Sequence, residues 1–430
     1  MLKTLKVRTT DLDIGMYVSG LDRPWLETPF FTQGFLIEGR EDLDHLRRYC
    51  EFVFVDSQLS DKKNDILHSH TRRPTDVASE KSSDVTPEKS LKDRPRIPIA
   101  RIFEGRKLKA YADDGAWEEE HPTAQRALNT LIGDIDNIFD HLSAGETLNV
   151  IKLRKSVGPV VDSISRNPDA CLWVTRLKQH DQYTYQHSLS AAVWSVSLGR
   201  QSGLQRQDLR SLAMGCLLMD VGKLRVDTAL LRAERELTTD EAAEVAAHIG
   251  HGMDILQECG VINQDVMDMV AHHHERHDGS GYPNGLAGDQ IPPFARIASI
   301  VDTYEAITSW RSYAKAIAPS DAIKLLFGMR DKDFQTELVE AFIQAIGIYP
   351  AGTLVELSSG EVGVVVAEYR TRRLRPRVMI LLDANKKKLR QSKVIDLQEC
   401  AGGLASAESL SIKKSLESDA YGIDISTVSI

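Results

Sequence analysis

The sequence predicts a mainly α protein with a small α/β domain at the N-terminus and a small β extension at the C-terminus. Three changes of pattern carry that expectation. From about Pro122 to Gly347, apolar residues recur at three and four, as in "ALNTLIGDIDNIFDHL", the spacing of amphipathic helices. The first 58 residues instead carry short apolar segments between turn signals: "GMYVSGL", "FFTQGFLIEG" and "FVFVDS" read as strands, with "REDLDHLRRYC" as a helix before the last. After Tyr349-Pro350 the period changes again, and "GTLVELSSGEVGVVVAEY" followed by "RPRVMILLD" reads as an antiparallel unit turning at "SSGE".

The expected domains are therefore an α/β unit over 1–60, a helical domain over 122–348, a β extension over 349–400 and a flexible, Ser-rich tail over 401–430. Residues 61–96, rich in Ser, Lys, Asp, Thr and Pro with almost no apolar side chains, read as a disordered linker. A chain of 430 residues accommodates two or three domains. No apolar run reaches the roughly 18 residues needed for a membrane span, and "MLKTLKVRTTDLD" has no signal-peptide pattern. Five cysteines (Cys50, Cys171, Cys216, Cys259, Cys400) have no paired spacing and read as reduced core thiols of a cytoplasmic protein. The net charge of −9 argues against a DNA-coating role.

Chemistry enters through polar residues on apolar helix faces. The stripe Leu209, Leu212, Ala213, Cys216, Leu217 continues onto Asp220, which points that carboxylate toward the core. One such acid alone reads as a helix-end residue turned to solvent. The anomaly recurs, however. Val266, Met269 and Val270 lead onto His273 and His274; His248 lies among Ala and Val on a helix N-capped by Thr238 or Thr239; His187 precedes an apolar helix; Asp302 follows Ala295 and Ala298. Four histidines and two aspartates on five helices are most economically satisfied by a shared cation, because neutral imidazoles and carboxylates are ligands of Zn, Mn and Fe. Adjacent residues on a helix diverge by about 100°, so His273 and His274 converge only at a helix end, which the following "DGSG" supplies. His251, His272 and His277 are expected to stand outside the site.

Through "YTYQHS", "MDVGK", "AHIGHG", "HHHERHDGSGYPNGL", "IPPFARIASIVDTYEAITS" and "WRSYAKA", residues 179–315 resemble the HD-GYP family, bacterial phosphodiesterases of the wider HD metal-hydrolase superfamily. Residues 4–58 are similar to the domain of unknown function that often precedes such domains. The resemblance implies an all-helical HD-type metal-hydrolase fold and hydrolysis of cyclic di-GMP to pGpG or GMP. It implies one or two divalent ions, Fe or Mn rather than Zn. Its metal ligands would be His187, Asp220, His248, His273, His274 and Asp302, with Asp220 bridging: His248, His273 and His274 complete one position, His187 and Asp302 the other. Lys223 and Arg311 match positions that hold substrate phosphate, with Asp220 and Lys223 the catalytic pair, and Gly281, Tyr282 and Pro283 shape the pocket. As partners the family admits signalling proteins such as diguanylate cyclases, and a homodimer.

The pattern departs from the family in three places. Met219 stands where the HD pair has its His, and a thioether is a poor ligand for Mn or Fe(II). That loss weakens the His187–Asp220–Asp302 position and sets against the enzyme a second reading, a catalytically impaired module that binds cyclic di-GMP or a partner protein. Tyr183 replaces the Glu that some members use for a third metal. Ser312 and Ala314 reduce the charge after Arg311. A nucleotidase of the wider superfamily is disfavoured by the intact GYP loop.

Overall fold

The computed structural model describes residues 4–22, 35–37, 39–56, 60, 97–113, 115–177, 183–309, 316–368, 374–399, 410–417 and 420–425. The expected linker and Arg311, Ser312 and Ala314 lie outside the described residues, as does the Tyr183 side chain. The chain divides at Pro98 into two compact units.

In the first unit, strands β1 (Thr4–Arg8), β2 (Tyr17–Leu21), β3 (Phe35–Leu36) and β4 (Phe52–Asp56) form an antiparallel sheet in the order β1-β4-β2-β3. Helix α1 (Arg40–Tyr49) precedes β4. The alternation of β4 buries Val53 and Val55 with Val7, Val18, Ile37 and Leu46, and leaves Phe54 exposed on the other face. Strand β1 was not anticipated: its partner β4 lies far along the chain, with Lys6 opposite Phe54, so no local hairpin announces it.

The second unit is mainly α. After the single turn α2 (Ile99–Ile102) come α3 (Trp117–Ser143), α4 (Val150–Arg166), α5 (Pro168–Leu177), α6 (Tyr183–Gln201) and α7 (Arg206–Leu218). A 3-10 turn, Val221–Arg225, leads to α8 (Thr228–Leu231), α9 (Thr239–Ala246), α10 (His248–Glu258) and α11 (Gln264–His272). Next come α12 (Pro293–Thr308), α13 (Pro319–Gly328) and α14 (Thr336–Ile346). Helix α3 begins before Pro122, the expected start. Trp117 is buried, stacks on His121 at 4.9 Å and meets Trp173 edge-on at 6.0 Å, and that packing carries the helix through the proline.

Helix α6 packs on α7, α12 and α14, and α11 packs on α7 and α12. Their centre is an aromatic trio of fully buried rings, Trp194 on α6, Tyr304 on α12 and Phe342 on α14. Trp194 and Tyr304 lie 5.2 Å apart, Tyr304 and Phe342 5.1 Å, all in edge-on contact. Truncating one such ring costs about 3–5 kcal/mol, so the trio holds α6 and α12 in register behind the site they carry.

The C-terminal sheet is antiparallel in the order β8-β7-β6-β5-β9, from β5 (Leu354–Leu357), β6 (Val362–Ala367), β7 (Arg377–Leu382), β8 (Lys388–Asp396) and β9 (Ile412–Ser415). The turn between β5 and β6 falls on "SSGE" as expected. Strand β9 corrects the expectation of an element-free tail: Val355 pairs with Ser415 and Glu356 with Lys414. The alternation that would reveal it is masked because Lys413 and Lys414 both fan around Glu356, with Nζ atoms 3.5 and 3.7 Å away. Among the described residues no helix is long and apolar enough to cross a membrane.

Candidate metal centre

Helix α7 buries Leu209, Leu212, Ala213, Cys216 and Leu217, and stops at Leu218. Met219, fully buried, keeps helical backbone angles as the cap, and Asp220 follows with φ −100° and ψ 8°. The carboxylate thus lies at a buried helix end, with its side chain 12 % exposed. The next turn presses on α10 because position 222 has no side chain: a Cβ there would lie 1.8 Å from the carbonyl oxygen of His248. Gly222 therefore sets the approach of Asp220 to His248.

His248 opens α10 after a break at Ala247, and the preceding α9 is capped by Thr238, whose hydroxyl accepts from the N–H of Glu241. His273 caps α11 and His274 comes after it, so the pair converges at a helix end, with ring centroids 4.1 Å apart. His187 lies within α6 rather than ahead of it, and α12 carries Asp302.

These side chains meet. Asp220 Oδ1 lies 3.5 Å from His248 Nε2 and 3.7 Å from His273 Nε2. Asp220 Oδ2 lies 3.7 Å from His187 Nε2, which is 3.0 Å from Asp302 Oδ1. One ligand atom from each of Asp220, His248, His273 and His274 falls within 4.8 Å of the others, and the same holds for His187, Asp220 and Asp302. Asp220 belongs to both groups. His251, His272 and His277 belong to neither.

The donor set fits a cation. His248 Nδ1 donates to the Val245 carbonyl at 2.7 Å, and His273 Nδ1 to the carbonyls of Met269 and Val270 at 3.1 Å each. With Nδ1 so used, Nε2 of each ring is turned to Asp220 and, at 3.5 Å, to the other ring. Ring nitrogens and carboxylate oxygens turned inward together are the donor types that hold a divalent ion. Burial pushes the His248 imidazole down to about 4 and His274 to about 2, so both are neutral and free to coordinate. Burial would raise Asp220, but the Lys223 ammonium, His273 and His187 hold it well below the usual carboxylate range. Asp302 is likewise held low against burial by its bond to His187. Burial lowers His187, but Asp302 and Glu305 outweigh it and raise the ring to about 10. The Asp220–His248–His273–His274 group is nitrogen-rich, whereas the His187–Asp220–Asp302 group is oxygen-rich and harder.

Lys223 Nζ lies 2.7 Å from Asp220 Oδ2 with its side chain 33 % exposed, at the border of the site and solvent. Tyr282 stacks on His274 at 4.8 Å and 24° and is 39 % exposed. Gly281 lies so close to the backbone that a Cβ would meet Arg276 N at 2.4 Å and His274 O at 2.5 Å. The peptide bond into Pro283 is cis.

Two buried acids escaped the reading of the sequence. Glu275, 1 % exposed, accepts the N–H groups of Asn284 at 2.8 Å and Leu286 at 3.0 Å, and so pins the loop that carries Tyr282. Glu305, 2 % exposed, places Oε2 3.7 Å from His187 Nδ1. The available signal was an acid directly after His274, and another one turn after Asp302 in an apolar helix.

Residues 173–338 match the HD domain family, residues 4–152 a domain of unknown function (DUF3391), and residues 354–402 the KOW domain associated with HD domain. A cyclic di-GMP phosphodiesterase of Pseudomonas aeruginosa is 31 % identical over 399 residues, covering 92 % of this chain and 89 % of the relative. A cyclic di-GMP phosphodiesterase response regulator of Xanthomonas campestris is 33 % identical over 148 residues, 34 % of this chain and 39 % of its own. A 3'3'-cGAMP-specific phosphodiesterase of Vibrio cholerae is 30 % identical over 162 residues, 37 % of this chain and 31 % of its own. A relative matched at that level along nearly its whole length, together with the HD-domain match over the residues that build the centre, makes this chain a member of the HD-GYP family.

Proposed function

We propose that the chain is a metal-dependent phosphodiesterase that hydrolyses cyclic di-GMP to pGpG and on to GMP. The observation that carries this reading is one buried carboxylate, Asp220, shared by two groups of metal-ligand type within a chain similar to a cyclic di-GMP phosphodiesterase over 92 % of its length. His187, Asp220, His248, His273, His274 and Asp302 would hold one or two divalent cations, Fe or Mn. Bound there, such ions would supply a water of lowered pKa and positive charge beside the phosphate oxygens.

The chain's own residues do the rest. Lys223, already aimed at Asp220, brings an ammonium to the edge of the centre, where negative charge grows on a phosphodiester under attack. Arg311 would add a second cation. Tyr282, stacked on His274 and half open to solvent, offers a flat wall for a base or ribose. Burial pushes its phenol up to about 12, so it stays a neutral hydrogen-bond donor. Glu275 holds that wall against the centre.

Met219 tunes rather than abolishes this site. It supplies no nitrogen to the His187–Asp220–Asp302 group, so that position binds its ion more weakly than the other, and activity requires higher free metal. The test is turnover of cyclic di-GMP and 3'3'-cGAMP by purified protein loaded with Mn(II) or Fe(II), for the native chain, Asp220→Ala and Met219→His. The expected result is metal-dependent loss of cyclic di-GMP, abolished in Asp220→Ala and reached at lower metal in Met219→His. Intact cyclic di-GMP after incubation with the loaded native protein would overturn the reading, and preferential cleavage of 3'3'-cGAMP would reassign the substrate.

A further inference from the structure

The histidines of the centre settle their second ring nitrogen in two different ways. His248 and His273 give Nδ1–H to backbone carbonyls, at 2.7 Å and at 3.1 Å. His187 faces a full carboxylate instead. Its Nε2 turns to Asp302 and Asp220 at 3.0 and 3.7 Å, while Glu305 Oε2 lies 3.7 Å behind Nδ1. That separation is an electrostatic contact rather than a hydrogen bond. Glu305 does not join the three-residue ligand group on the other side of the ring.

Glu305 is itself well placed to act from behind. It lies on α12, one turn after Asp302, so both acids share a helix face toward α6. Both of its oxygens are within reach of the Ser309 hydroxyl, at 2.7 and 2.6 Å, which fixes the carboxylate at the end of the helix. A carboxylate only 2 % exposed is costly to bury unless it serves a partner that needs its charge. The His187 ring is such a partner.

We propose that Glu305 is a positioning residue for His187: its carboxylate lies behind Nδ1 and keeps a proton on that side of the ring, so that Nε2, bonded here to Asp302, is the nitrogen left for a cation, and a stronger donor to it. It does so on the side of the centre where Met219 supplies no nitrogen, so the charge behind His187 offsets part of that loss. The proposal rests on the reading of His187 as a metal ligand. Carboxylates behind ligating histidines do this in metal sites generally, and removing one weakens metal binding by roughly 10–100-fold.

The test is equilibrium dialysis of the metal-free full chain against Mn(II), with ions bound per chain read for the native protein, Glu305→Gln, Glu305→Asp and His187→Ala. Glutamine keeps the shape and the Ser309 contact but not the charge. The expected result is about a 10–100-fold weaker affinity at one position in Glu305→Gln, no change at the other, partial recovery in Glu305→Asp, and an unaltered melting temperature without metal. If His187→Ala loses an ion while Glu305→Gln binds as the native chain does, the proposal fails and His187 keeps its role. If His187→Ala binds as many ions as the native chain, the ligand reading fails and the proposal falls with it. If Glu305→Gln weakens both positions equally and melts early without metal, Glu305 is a structural residue and the proposal is overturned.

Discussion

The Gly222→Ala substitution tests whether backbone packing sets the geometry of the centre. Gly222 has no unusual φ, so alanine can adopt its conformation and the effect is steric. The added Cβ would lie 1.8 Å from the His248 carbonyl oxygen and 2.4 Å from Gly252 N, where real contacts do not fall below 3.0 Å. Both obstacles are backbone, so no rotamer relieves the clash. The turn after Asp220 and the start of α10 must therefore part by about 1.2 Å, the difference between 3.0 and 1.8 Å. That displacement is large beside the 3.5 Å separating Asp220 Oδ1 from His248 Nε2. A ligand constellation has to be held within about 0.5 Å to bind well, so Mn(II) affinity should fall, and overpacking of this kind destabilises by about 1–3 kcal/mol. Calorimetric titration of the metal-free protein with Mn(II), beside its thermal melt, should show both losses, with the tighter ion affected first. Native-like affinity and melting in Gly222→Ala would refute the claim that this contact positions His248.

Glu275→Ala should remove the charged acceptor of the part-buried N–H groups of Asn284 and Leu286, at about 1–3 kcal/mol of stability. Its KM for cyclic di-GMP should rise more than its Mn(II) affinity falls, and a loss confined to metal binding would contradict the loop role. The thiols of Cys171 and Cys216 are pushed up to about 12 by burial; both should resist alkylation at pH 8 in the native protein and react once it is denatured, as peptide mapping would read directly. Burial would raise Glu120, but the bidentate Arg166 guanidinium at 2.7 and 2.8 Å, with Ser163, lowers it below 4.5. A lowered folded pKa means stability present above the unfolded value and lost as pH falls through the folded one. The melting temperature should therefore drop less on acidification below about pH 4.5 in Glu120→Gln than in the native chain, and parallel slopes would remove this pair from the acid transition.

What was legible in the sequence follows from how local each signal is. The buried stripe leading to Asp220, and the helix end needed for His273 and His274 to converge, are properties of one segment, and the structure has them where the pattern points. The position of His187 inside α6 was less legible, because the first turn of that helix carries no apolar stripe to announce it. Strands β1, β8 and β9 were invisible for a different reason. Strand β8 is an edge strand exposed on most of its residues, so it has no alternation to read. Strands β1 and β9 owe their existence to partners distant in sequence. Glu305 and Glu275 escaped because neither joins the donor atoms: one lies behind His187, the other beneath a loop.

The sharing of Asp220 makes the two halves of the centre interdependent. Its Oδ1 faces the nitrogen-rich group and its Oδ2 faces His187, while Lys223 neutralises the same Oδ2 at 2.7 Å. A cation drawn to Oδ2 therefore meets a competitor already in place, and the competitor is the residue best placed to greet the substrate phosphate. On the proposed function, a cation held at Oδ2 would displace that ammonium and leave it free to face a phosphate. The ammonium would stay on the carboxylate until a cation replaced it, which would tie the oxygen-rich side of the proposed centre to the position of Lys223.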